Sequence, residues 1–218
     1  MVAGLLAEEA APAAAAGANW FVQHAYVITL LPFLSAALTL FFGKRTPGKG
    51  AVYGILAIGA GLLLSLGVLW SFVQGGGNYE QSVHWFTIGP LDMQLGFYVD
   101  GLTAVMLLVV TSISLMVHIY SVGYMHDDPG YARYFAEISL FLFSMTGLVL
   151  ADNYLVLYAF WEGVGVCSYL LIGFWFKNRD YTNAAKKAFV MNRIGDLGFL
   201  VCLLPLRMTR YRPNSQRA

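Results

Sequence analysis

The stretch AFWEGVGVCSYLLIGFWF, residues 159–176, decides how the chain is read. It is almost wholly apolar and carries one carboxylate, Glu162. Eighteen residues at about 1.5 Å rise cover most of a hydrocarbon core. Glu162 lies nine residues after Asn153, or about 13 Å along a helix axis, which puts it near the bilayer midplane. An isolated charge there costs on the order of 3 kcal/mol or more. Such an acid has to be neutral, paired, or turned toward a wet interior. Oil favours its neutral form and a nearby cation its charged form, so its neighbours can switch its charge. Gly163 and Gly165 flank it, allowing close helix approach and room for water.

The rest of the chain has the same character. Of its 218 residues, 58% are hydrophobic and 11% are charged, against about a quarter charged in soluble domains. Residues 25–43, 51–73 and 101–125 contain no Asp, Glu, Lys or Arg. The reading is an all-α, polytopic transmembrane helical bundle of about six spans, near 25–43 (with Pro32 as a kink), 51–74, 98–124, 132–151, 154–176 and 184–206. Between the second and third lies a connector at 75–97, with Gly75-Gly76-Gly77 at its start, partial alternation and a central Gly-Pro. It reads as a short hairpin outside the membrane. A net charge of +1 suggests no nucleic-acid partner. Cys167 and Cys202 read as small buried hydrophobes, with no disulfide or metal site.

Lys and Arg residues fall in alternate connectors: Lys44, Arg45 and Lys49, then Arg133, then Lys177, Arg179, Lys186 and Lys187. The connectors at 75–97 and 152–153 have none. By the positive-inside rule the N-terminus and the 75–97 hairpin lie on the outer side. Residues 1–24 read as an Ala-rich lead-in, without the basic start of a signal peptide. The basic segment RMTRYRPNSQRA, residues 207–218, breaks the alternation and reads as a disordered tail.

Three further features carry chemistry. Arg193 and Asp196, spaced i, i+3, share one helix face and can pair. Lys187 lies near the start of the same span, as a snorkelling base or an inward partner for Glu162. His118 sits in the uncharged third span, where an imidazole that donates and accepts suits a proton relay or a satisfied polar contact. Asp100 reads as a helix start and Glu137 as an end-of-helix or subunit-contact residue. There is no Gly-rich phosphate loop, Cys cluster or paired-His haem pattern, so any electron transfer belongs to partner chains.

FYVDGLTAVML, HIYSVGYMHDDPGYARYFAEISLFLFSM, LADNYLVLYAFWEGVGVCSYLLIGFWF and AAKKAFVMNRIGDLGFL, in this order, resemble the N-terminal part of the chain 5 (subunit L) family of proton-pumping NADH–quinone oxidoreductase. That family lies within an antiporter-like superfamily that includes Mrp-type sodium/proton antiporter and bicarbonate-uptake subunits. The resemblance implies a non-redox membrane subunit of a respiratory translocase. Quinone reduction on partner chains would be coupled to proton translocation. It implies NADH, flavin, iron–sulfur and quinone on other subunits and no cofactor on this chain. It also implies other membrane-arm subunits and the lipid bilayer as partners, and a bacterial inner membrane as location. By position, Glu162 matches the proton-channel glutamate, Arg193 and Asp196 a charged pair beside it, and Lys187 a basic position. His118 and Asp100 match motif positions of less defined role. On this reading residues 25–97 are the first two helices and connector, 98–151 the chain-5-like helices, and 152–206 the start of the antiporter-like domain. The resemblance ends near residues 201–203, which suggests a shortened or frame-shifted copy that lacks the family's seventh-helix lysine.

Overall fold

The structure is a computed structural model describing residues 19–46, 48, 50–88 and 91–210. The side chains of residues 44, 83–88, 91–94 and 203–210 are not among those described. Most of the lead-in and the last eight residues of the tail therefore lie outside the described residues.

A one-turn helix α1 (Trp20–Gln23) precedes α2 (Tyr26–Phe42) and α3 (Ala51–Val73). A two-stranded hairpin follows, β1 (Tyr79–Ile88) and β2 (Leu91–Val99), then α4 (Gly101–Tyr124), α5 (Tyr131–Leu150), α6 (Tyr154–Ile172) and α7 (Arg179–Arg210). Helices α3, α4, α5 and α6 are long and apolar enough to cross a membrane. Helix α2 is apolar but has 17 residues. The polytopic helical bundle read from the sequence is present, and the connector at 75–97 forms the expected antiparallel hairpin, pairing Tyr79 with Val99 and Ile88 with Leu91.

The element ends have local causes. Helix α4 starts at Gly101, three residues later than the periodicity suggests. The Asp100 carboxylate there accepts a hydrogen bond from the Thr103 amide at 2.7 Å, filling one of the donors a helix start leaves open. Asn153 does the same for α6, its Oδ1 accepting from the Leu155 and Val156 amides at 3.1 and 3.0 Å. Between α2 and α3 the chain reverses through Gly50, whose φ of 90° lies in the left-handed region. The Thr39 hydroxyl donates to the Gly50 carbonyl at 3.3 Å and ties the ends of the two helices together. Helix α6 ends at Ile172, four residues short of the apolar run, where the hydrogen bonding tightens: the Phe174 amide donates to the Leu171 carbonyl three residues back, at 3.3 Å. Helix α7 runs to Arg210, four residues into the segment read as a tail.

The chain divides into two compact units, Met1–Trp161 and Glu162–Ala218, the division falling within α6. In the first, α2 packs on α5 and α3, and α3 on α4. Its core gathers at the hairpin end, where Val22, Ala25, Ile28, Val68, Val99, Ala104, Leu107 and Leu150 are almost wholly buried. Hydroxyls buried between these helices bond backwards onto their own helix. Ser65 donates to the Gly61 carbonyl at 2.9 Å and Thr111 to the Leu107 carbonyl at 2.7 Å.

The hairpin is fastened to the α5–α6 connector. Phe97 bridges to Ala151, and the Asp152 carboxylate lies against the Gly96 backbone, where any Cβ would collide with it. Asn153 Nδ2 donates to the other side of the same acid, at 2.6 Å to Oδ1. Burial, with Glu80 nearby as a lesser cause, raises the Asp152 pKa above the ordinary value, outweighing its hydrogen bonds. A raised acid pKa favours the protonated form in the folded state. This contribution to stability is full below the unfolded pKa and is lost as pH rises through the folded one.

Two outcomes follow from this geometry. At neutral pH, Asp152→Asn should raise the thermal unfolding midpoint in detergent, and its advantage over the parent should shrink as pH falls through the carboxylate range. Gly50→Ala should lower stability by about 1–2 kcal/mol, the cost of left-handed backbone in an L-residue, as read by denaturant unfolding in micelles.

Candidate functional site

Glu162 opens the second unit, near the middle of α6. After Ile172 the chain turns within a few residues and restarts as α7. Asn178 caps that start, its Oδ1 accepting from the Asp180 amide at 3.0 Å, and Thr182 Oγ1 donates to the Phe176 carbonyl at 3.1 Å. Helix α7 then returns along α6. Gly173 lies close to Ala185, the Tyr169 and Phe189 rings are 5.4 Å apart, and Arg193 reaches Glu162.

That last contact is an ion pair between a guanidinium Nη1 and Glu162 Oε2. The same nitrogen lies 4.0 Å from Asp196 Oδ2, one helical turn further along α7. Phe189, one turn earlier on the same face, places its ring centroid 4.6 Å from Arg193 Cζ, a cation–π contact. The side chains of Glu162 and Asp196 are 17% and 10% exposed, and that of Arg193 37%. One cation thus serves two mostly buried carboxylates, and with both acids ionised the cluster carries a formal charge of −1. Glu162 Oε1 is buried and makes no hydrogen bond among the described residues. A Cβ at Gly165, three residues after the acid, would meet nothing within 4 Å among the described residues.

The sequence pairs Arg193 with Asp196; the structure shows that proximity and adds Glu162 as the closer partner. Lys187 is exposed on α7 and forms no ion pair among the described residues. The position of the turn could have signalled this. A helical hairpin reflected about residues 177–178 brings 193 back to the level of 162, whereas 187 returns to the level of 168. Neither cysteine forms a disulfide among the described residues. Cys167 is buried as expected, but Cys202 is exposed, because it lies on a face of α7 that nothing in the second unit covers.

His118 belongs to the first unit and is fully buried on α4. Its Nδ1 donates to the Ser114 carbonyl at 2.9 Å, which leaves Nε2 to accept from the Ser139 hydroxyl at 3.4 Å in the neutral ring. Gly54 on α3 makes room: a Cβ there would lie 3.0 Å from His118 Cδ2. One turn away, Ser121 and the Tyr134 hydroxyl share a hydrogen bond of 3.2 Å. On α5, Arg133 Nε lies 3.4 Å from Glu137 Oε1, while Glu137 Oε2 is buried without a hydrogen bond among the described residues. Ser139 and Gly54 carry no chemical signal in the sequence; helix packing alone brings them to the imidazole.

Two family models match the chain. One, described as NADH-ubiquinone oxidoreductase (complex I) chain 5 N-terminus, covers residues 85–135 and so includes His118. The other, described as NADH:quinone oxidoreductase/Mrp antiporter, TM, covers residues 151–209 and includes Glu162, Lys187, Arg193 and Asp196. NADH-quinone oxidoreductase subunit L of Neisseria meningitidis serogroup B is 46% identical over 179 residues, 80% of this chain and 27% of the relative. The chloroplastic NAD(P)H-quinone oxidoreductase subunit 5 of Nephroselmis olivacea is 43% identical over 193 residues, 85% of this chain and 30% of the relative. The chain spans less than a third of the length of these curated relatives. Among solved structures, the Mrp complex from Dietzia sp. superposes with a TM-score of 0.68 at 25% identity, over 82% of this chain and 19% of that one. These matches fall on the motifs that build the ion cluster and on the apolar helices that hold it. The chain is an integral membrane protein and belongs to the complex I chain 5 (subunit L) family of the antiporter-like superfamily.

Proposed function

We propose that this chain is a membrane-arm subunit that moves protons through the Glu162–Arg193–Asp196 cluster, in a respiratory complex whose electron carriers reside on partner chains. The observation that carries the reading is one guanidinium held between two mostly buried acids, with Oε1 of Glu162 making no hydrogen bond among the described residues. In a low-dielectric interior a cluster of net charge −1 takes up a proton to become neutral. When Arg193 leans toward Asp196, Glu162 loses its counter-charge and binds the proton. When Arg193 returns, Glu162 ionises and the proton leaves. A change of charge on a neighbouring subunit is enough to bias these two positions, so quinone reduction elsewhere can drive the cycle without redox chemistry on this chain. NADH, flavin, iron–sulfur and quinone sites belong to the partner subunits in this scheme.

Lys187, exposed near the start of α7, supplies the basic, inner-side end of the route. His118, neutral and hydrogen-bonded between Ser114 and Ser139, is a proton relay in the first unit. The basic connectors set the orientation, with the hairpin outside, and the bacterial inner membrane is the proposed location.

Cation/proton antiport is the second reading. It rests on the family model over residues 151–209, whose description names the Mrp antiporter, and on the likeness to the Mrp complex. The same acid would then exchange a proton for a sodium ion.

Glu162→Gln, placed at the matching position of a full-length relative in its intact complex, should lower proton pumping in inverted vesicles by about a hundred-fold, the low end for loss of a positioned proton-transfer group. Pumping at the parental rate would remove Glu162 from the mechanism. Lys187→Ala should leave the folded helix content unchanged by circular dichroism. Sodium uptake that stops with Glu162→Gln, without proton pumping in the parent, would favour antiport.

A further inference from the structure

Thr29 departs from the pattern of the other buried hydroxyls. Thr111 and Thr146 turn theirs onto the carbonyl one turn back, at 2.7 and 2.9 Å. Thr29 is 8% exposed, yet its Oγ1 makes no hydrogen bond among the described residues. Ser35 shares this lack, and Thr29 in addition lines a cavity of about 210 Å³. The other walls include Tyr26 on α2, Phe97 on β2, Phe143 and Gly147 on α5, and Phe160 on α6. Gly147 gives the cavity its depth, since a Cβ there would strike the Phe160 ring.

The chemistry of the walls selects the occupant. Buried water makes about three hydrogen bonds, and Thr29 and Tyr26 supply the only side-chain hydroxyls among the lining residues. The remaining side chains are aromatic or aliphatic and suit a hydrocarbon chain. The depth is set by Trp20, Tyr26 and Tyr154, which are 57%, 39% and 58% exposed and stand at or before the first turns of α2 and α6. Exposed aromatic residues of this kind gather at headgroup level. Thr29 lies three residues below Tyr26, about 4.5 Å deeper along the helix, where the ester groups of a phospholipid begin. Leu30 and Phe33, 45% and 44% exposed on the same helix, continue the path toward the bilayer centre.

We propose that the crevice between α2, α5, α6 and β2 is a phospholipid site, in which Thr29 Oγ1 donates to an acyl-ester carbonyl and the upper part of that chain lies among Phe143, Gly147 and Phe160. The site gives the hairpin end of the first unit a fixed lipid.

The test uses the full chain in nanodiscs containing phosphatidylethanolamine with a diazirine near the top of one acyl chain, and peptide mapping after illumination. Labelling should concentrate on the lining residues of α2, α5 and α6. Thr29→Val, which keeps the shape, should lower it there about five-fold, the worth of one neutral hydrogen bond, and Thr29→Ser should restore it. Val156→Phe, which fills the cavity, should abolish it. The proposal is overturned if exposed Leu56, Leu63 and Trp70 of α3 label as heavily as the crevice, or if Thr29→Val labels like the parent. It is also overturned if a photoreactive quinone labels the crevice while the phospholipid does not.

Discussion

A carboxylate in hydrocarbon has to be compensated, and in the second unit the compensation is a single guanidinium shared between Glu162 and Asp196. Much of the local architecture serves that contact. The turn after Ile172 returns α7 along α6, Asn178 starts it, and Phe189 holds the cation from the third side. An arginine suits this place because its planar head can face two acids at once and stays charged even where water is scarce. Both acids are mostly buried, and both lie against that one cation.

The first unit handles polarity differently. Its buried groups are neutral or locally satisfied: Ser65 and Thr111 bond to their own helices, and His118 has a partner on each ring nitrogen. Such contacts let apolar helices pack closely without leaving donors or acceptors bare. Close approach needs small residues, and Gly54 against His118 and Gly147 against Phe160 are the clearest cases. Thr29 Oγ1 and Glu137 Oε2 break this pattern, being buried without a hydrogen bond among the described residues.

The hairpin joins these themes at the membrane boundary. Asp152 and the Phe97–Ala151 bridge fasten β2 to the α5–α6 connector, directly beside the cap that starts α6. The carboxylate that closes this joint is itself partly desolvated. The start of the helix that carries Glu162 is thus held by hydrogen bonds outside the apolar core.

Much of this was legible in the linear chain. Charge-free runs announced the helices, because in oil a backbone satisfies its polar groups within one segment. The Asp100 cap and the tight turn after Ile172 then trimmed two predicted ends. Glu162 was visible as a lone acid in an apolar run, and Arg193 and Asp196 as neighbours on one helix face. Which cation would meet Glu162 was not visible in either segment alone. Lys187 and Arg193 are both basic and both on α7, and only the length of the turn, added to the helical rise, brings position 193 and not 187 to the level of the acid. The same holds for Gly54 and Ser139 beside His118 and for the cavity at Thr29. Periodicity along one helix says which face is buried, but distances between helices depend on turns and packing that no single segment encodes.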